Sequence, residues 1–242
     1  NATVSASMTI KAGRLTVGPG VTHTLGTLSI NASTLGVAPG TNVLVNTPYG
    51  LTAGTTTLTA GPAAFDVAGN GGAPGVLTLG AVGGNFALVK KGDGVLRLAS
   101  VNTLGGPITN NNGRILAVTG GSCSNSTVPL QAAELPSAAA ALSVLYSAAN
   151  TQWTCSNLVT AVSAAPAASR PALEFSFAVL PSTNVAPLRV RDTVTFPTNP
   201  VVNVYLSNLT VPTNSYPLMV VGVSAPTAVV PTLNMVGGYT NS

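Results

Sequence analysis

Short apolar–polar alternations recur along most of this chain. Val76-Leu77-Thr78-Leu79 and Val95-Leu96-Arg97-Leu98 are the clearest. A period of two sends alternate side chains to opposite faces of a sheet. Across residues 1–118 the pattern predicts strands at 4–10, 14–17, 24–30, 34–37, 42–45, 57–60, 64–67, 76–79, 86–89, 95–98, 107–109 and 114–118. Turn residues separate them: Gly18-Pro19-Gly20, Pro39-Gly40, Gly61-Pro62, Gly69-Asn70-Gly71-Gly72 and Gly92-Asp93-Gly94. Glycine supplies positive φ and proline presets a turn position. Strands this short cannot each bury a face alone, but stacked rungs share a core. The pattern therefore predicts an all-β solenoid.

Residues 119–169 interrupt the alternation, and the break begins at Gly120-Gly121. Pro136 suits the first position of a helix, and Leu142, Leu145 and Tyr146 fall at i, i+3 and i+4. This predicts one short helix near 137–149 inside an Ala-rich excursion. Residues 170–242 return to strands at 172–179, 188–190, 193–196, 201–206 and 218–223, with prolines mainly in the gaps. That part either continues the solenoid or forms a small sandwich. The organisation is thus 1–118 repetitive solenoid, 119–169 excursion and 170–242 β-rich C-terminal region.

Composition narrows the setting. Only 6% of residues are charged, against roughly 25% in an ordinary soluble domain. Weak self-repulsion favours lateral association. The net charge of +4 comes from nine bases against five acids. Its densest clusters, Lys90-Lys91 and Arg189-Val190-Arg191, form no basic stripe with aromatics, so no nucleic-acid partner is expected. No run of 18 apolar residues occurs, and no membrane insertion by a helix is expected. The chain opens in strand-like sequence at Asn1-Ala2-Thr3-Val4-Ser5, which reads as a mature chain or an excerpt of a longer precursor. Two cysteines in such a composition point to one bridge, Cys123–Cys155, pinning the excursion. The closed loop of about 33 residues would add roughly 3–4 kcal/mol. Two reduced, buried thiols are the other reading.

The block Phe86-Ala87-Leu88-Val89-Lys90-Lys91-Gly92-Asp93-Gly94-Val95-Leu96-Arg97-Leu98 resembles the passenger-associated repeat of bacterial autotransporter-type proteins. Asn102-Thr103-Leu104-Gly105-Gly106-Pro107-Ile108-Thr109-Asn110 and Asn112-Gly113-Arg114-Ile115-Leu116 match its continuation. The similarity covers about 55 residues clearly. It implies a right-handed parallel β-helix exported to the cell surface or beyond. The excursion is not part of that repeat, and no membrane-inserting barrel domain is seen.

Candidate chemistry is sparse. The single histidine, His23, sits between threonines without a nucleophile-elbow sequence and reads as a solvent-facing strand residue. Asp66, Asp93, Glu134, Glu174 and Asp192 are spread along the chain. Glycoside chemistry needs paired carboxylates. Asp66 and Asp93 are spaced near one solenoid coil, though a Gly-Asp-Gly turn favours Asp for local bonding. No catalytic, cofactor or metal residues are assigned. Asn1, Asn31, Asn125 and Asn208 head Asn-x-Ser/Thr sequons and are candidate glycosylation sites. The expectation is a non-enzymatic extracellular structural protein whose partner is itself, as a fibre or surface layer. A glycan-binding adhesin passenger is the first alternative. A carbohydrate-active enzyme, to be recognised by acids converging in a groove, is the second.

Overall fold

The structure, a computed structural model, describes residues 1–131, 139–160, 170–196, 201–206, 209, 214–222 and, for strand pairing alone, 232–236. The chain winds as an all-β parallel solenoid of about seven turns. Three sheets form its walls. The first is short and stacks Ala2–Val4, Leu28–Ile30, Thr56–Leu58 and Val82–Gly83. The second begins with Met8–Ala12, Thr34–Pro39, Ala63–Val67 and Leu88–Lys91 and continues through Trp153–Thr160 to Met219–Val221. The third runs from Thr22–Thr24 through Tyr49–Ala53, Ala73–Leu79, Val95–Leu98, Arg114–Val118, Ala141–Tyr146 and Ala172–Phe177 to Val201–Tyr205 and Thr232–Val236.

Register turns local alternation into one continuous core. On the third sheet Leu51, Leu77, Leu96, Ile115, Leu142, Leu173 and Val202 stack in line, all facing inward and buried. Like side chains meet at every step, so each coil buries the previous one's apolar row. Coil length varies: Val76 pairs with Val95, 19 residues on, whereas Ala141 pairs with Ala172, 31 residues on.

Corners need polar side chains, because turning backbone leaves carbonyls without ladder partners. The hydroxyl of buried Tyr49 shares its one proton between the carbonyls of Val37 (3.0 Å) and Ala68 (2.7 Å). Buried Asn102 donates to Ser100 and Ser122, each at 2.8 Å, and accepts from the Val82 N–H at 2.8 Å. Gly92 and Gly113 stack at one corner with φ of 73° and 67°, and a Cβ at Gly113 would lie 2.5 Å from the Gly92 carbonyl oxygen. Glycine is required there.

Three expectations are corrected. Among the described residues there is no helix. Where 137–149 reads as helical, Ala141–Tyr146 is a strand of the third sheet, pairing on both sides, while 132–138 lie outside the described residues. Cys123 and Cys155 are not bridged: they are in register on neighbouring strands, both buried as free thiols. Residues 14–17 and 42–45 are loops, tied by a bridge between Gly18 and Val43, and carry exposed apolar side chains. The strand Tyr49–Ala53, which is not among the expected strands, pairs with Thr22–Thr24 and Ala73–Leu79 on the third sheet. Among the described residues no helix is long and apolar enough to cross a membrane.

Candidate functional site

A groove of about 740 Å³ runs over the outer face of the third sheet. Its floor is one in-register row of outward positions: Val95, Arg114, Ala141, Ala172 and Val201. Two alanines in the middle of that row make the trough, since their neighbours two residues on are larger. Those neighbours, Ser143, Glu174 and Asn203, form the next row, and Glu174 and Asn203 line one wall. The other wall is built by corner turns: the Gly69–Pro74 region, Asp93, Gly113, Ala139 and Arg170.

The charged centre is an ion pair. Arg114 Nε lies 2.8 Å from Glu174 Oε2, and Arg114 Nη2 lies 3.4 Å from Oε1. Ser143 Oγ donates to Oε2, and the Tyr205 hydroxyl reaches Oε1 at 3.4 Å. A carboxylate offers about four lone-pair positions, and here two face Arg114, one Ser143 and one Tyr205. Glu174 is thus a buried, fully engaged anchor that fixes the Arg114 guanidinium, whose side chain stays 45% exposed. Burial and the Glu174 charge push the Tyr205 phenol above its ordinary pKa. Asp93 lines the same groove.

Beneath the corner next to Asp93, Lys90 is fully buried and donates to the carbonyls of Lys91 (2.6 Å), Gly92 (2.7 Å) and Asn112 (3.2 Å). Burial pushes its pKa down to about 7, while Asp66 and Asp93 pull it up. Lys90 itself ties the corner and does not line the groove.

The remaining predicted positions are scattered. His23 is exposed on Thr22–Thr24, with Nε2 2.9 Å from the Gly13 carbonyl oxygen. The Asp192 carboxylate accepts from Ser156 Oγ at 2.5 Å, joining neighbouring coils. Asn1 and Asn125 are exposed; Asn31 is half-buried, with its Nδ2 donating to the Ser5 carbonyl at 3.0 Å. Asn208 and Glu134 lie outside the described residues. Among the described residues no cluster of three metal-ligating side chains exists. The groove brings together Asp93 and Glu174, which sequence reasoning left apart. Only the pairing register shows that they flank one row.

Comparison of the chain with protein-family models, with curated proteins and with solved structures returned no match.

Proposed function

We propose that this chain is a non-enzymatic extracellular structural protein, a right-handed solenoid of the exported, repeat-built kind its sequence resembles, which self-associates through the flank of its first two coils. Right-handed winding follows the strong preference of parallel crossover connections. One observation carries the self-association. Leu15 (99% exposed), Val17 (69%), Leu44 (46%) and Val45 (68%) lie on two stacked loops joined by Gly18 and Val43. Hydrophobic alternation is here spent on surface, and grouped exposed apolar side chains mark interaction sites.

The occupant is a second copy. The loop bearing Leu15 and Val17 connects Met8–Ala12 to Thr22–Thr24, each an end strand of its sheet with one edge unpaired among the described residues. Such edges add further strands. Nine bases and five acids give little repulsion between copies. Enzymatic readings are weaker, since Glu174 has its acceptor positions engaged and is poorly placed to exchange a proton with a substrate.

Electron microscopy of the purified protein at near-neutral pH tests this. Ordered filaments or sheets, unchanged by reductant and dispersed by the double variant Leu15→Lys/Val45→Lys, are expected. Dispersed wild-type particles, or assemblies indifferent to both substitutions, would overturn it.

A further inference from the structure

We infer that the groove on the third sheet is a binding site for an uncharged glycan chain lying along the solenoid axis. The inference rests on the groove alone and is independent of self-association.

Shape sets the first constraint. The floor crosses five strands, four inter-strand steps of about 4.8 Å each, so it extends roughly 19 Å. That suits a linear polymer better than a single small ring. The polymer is not an extended peptide adding to the sheet. Each floor strand is paired on both sides, so its backbone groups are already spent within the sheet.

Chemistry sets the second. Val95, Ala141, Ala172 and Val201 give an apolar floor for the C–H faces of sugar rings. Arg114, within the floor row, and Asp93, on one wall, place a donor and an acceptor beside it for hydroxyls. An apolar trough with a few fixed polar groups is the usual composition of a ligand site.

Charge sets the third. Of nine bases and five acids in the whole chain, two bases and two acids line this one groove. The concentration is high for so charge-poor a molecule, yet the signs balance. A polyanion in the groove would meet Asp93 and Glu174, and a polycation Arg114 and Arg170, whereas a neutral chain meets no such opposition. Glu174 is a positioning residue: its engaged carboxylate holds Arg114 in one orientation before a ligand arrives. Preorganised donors lose less freedom on binding.

The test is an array of neutral and acidic saccharides, from monosaccharides to long oligosaccharides, probed with the wild type and with Leu15→Lys/Val45→Lys. The double variant separates single-site binding from avidity, so failure of the assembly reading leaves this result interpretable. The expected signals fall on neutral chains and rise with chain length. Ala172→Trp, which fills the trough, and Arg114→Ala each weaken binding by about tenfold or more, the equivalent of roughly 1.4 kcal/mol. Val201→Lys, at a half-buried floor position, is the second trough variant should Ala172→Trp fail to fold, and a circular dichroism melt confirms folding of each. No signal on any chain, a preference for acidic chains, equal binding of monosaccharides, or binding unchanged in the folded trough variants would each overturn the inference.

Discussion

Lys90 and the two cysteines show what burial does to individual groups here. Lys90 lies among backbone carbonyls with Asp66 and Asp93 nearby, and desolvation wins, lowering its pKa to about 7. From pH 7 upward the folded chain sheds a proton that the unfolded chain keeps, so this group makes stability rise with pH. The thiols act in the opposite sense. Burial raises both Cys123 and Cys155 from 9.0 to about 12. Above pH 9 the unfolded chain loses two thiol protons that the folded chain retains, and two such groups outweigh one lysine. Urea midpoints measured across this range are expected to rise from pH 7 toward 9 and fall beyond it, and Lys90→Met is expected to flatten the rising limb. A rising limb that persists in Lys90→Met would assign it to another group. The thiols give a separate check: a thiol reagent should find two per chain in guanidinium and none in the native protein. A result of none in both would restore the bridge. Little of this was legible beforehand. Composition suggests a Cys123–Cys155 bridge, whereas the structure holds both as free thiols, in register inside adjacent coils of the core.

At the scale of elements, the segment 141–146 reads in two periods at once. Leu142, Leu145 and Tyr146 suit a helix face, but Leu142, Val144 and Tyr146 suit the inward face of a strand. The neighbouring rows decide: Val144 continues the line of Ala117 and Phe175, and the Tyr146 ring packs 5.7 Å from that of Phe177. Tertiary pairing overrides the helix propensity of the preceding alanines. Leu142→Ala should therefore cost about 2–5 kcal/mol in urea unfolding. Leu145→Ala, on the outward side, should cost about 1 kcal/mol. Equal large losses would favour a helical face after all. Strands at 76–79, 95–98, 114–118 and 188–190 were legible because alternation and turn residues agree there, and each lies within or matches an observed strand. Residues 14–17 and 42–45 misled for the same reason that makes them interesting: they alternate like strands but face solvent. Places where pattern and structure disagree are often functional.

For the whole molecule, a core with few charges leaves, among the described residues, two distinctive surfaces, the apolar flank of the first coils and the groove of the third sheet. The groove was invisible in the sequence, because Asp93 and Glu174 come to line one groove only after four strands are set in register. The solenoid itself was readable from repetition, and its continuation through 122–130, 141–146 and 153–160 was not, since the spacing between paired strands grows from 19 residues (Val76 to Val95) to 31 (Ala141 to Ala172). The flank predicts that mass, not shape alone, changes with concentration. Sedimentation velocity over a broad concentration range is the most direct measurement. The wild type should sediment above monomer mass and shift upward with concentration, and Leu15→Lys/Val45→Lys should remain monomeric with an unchanged fold. A wild type that stays monomeric throughout, or a double variant that assembles equally well, would contradict the account.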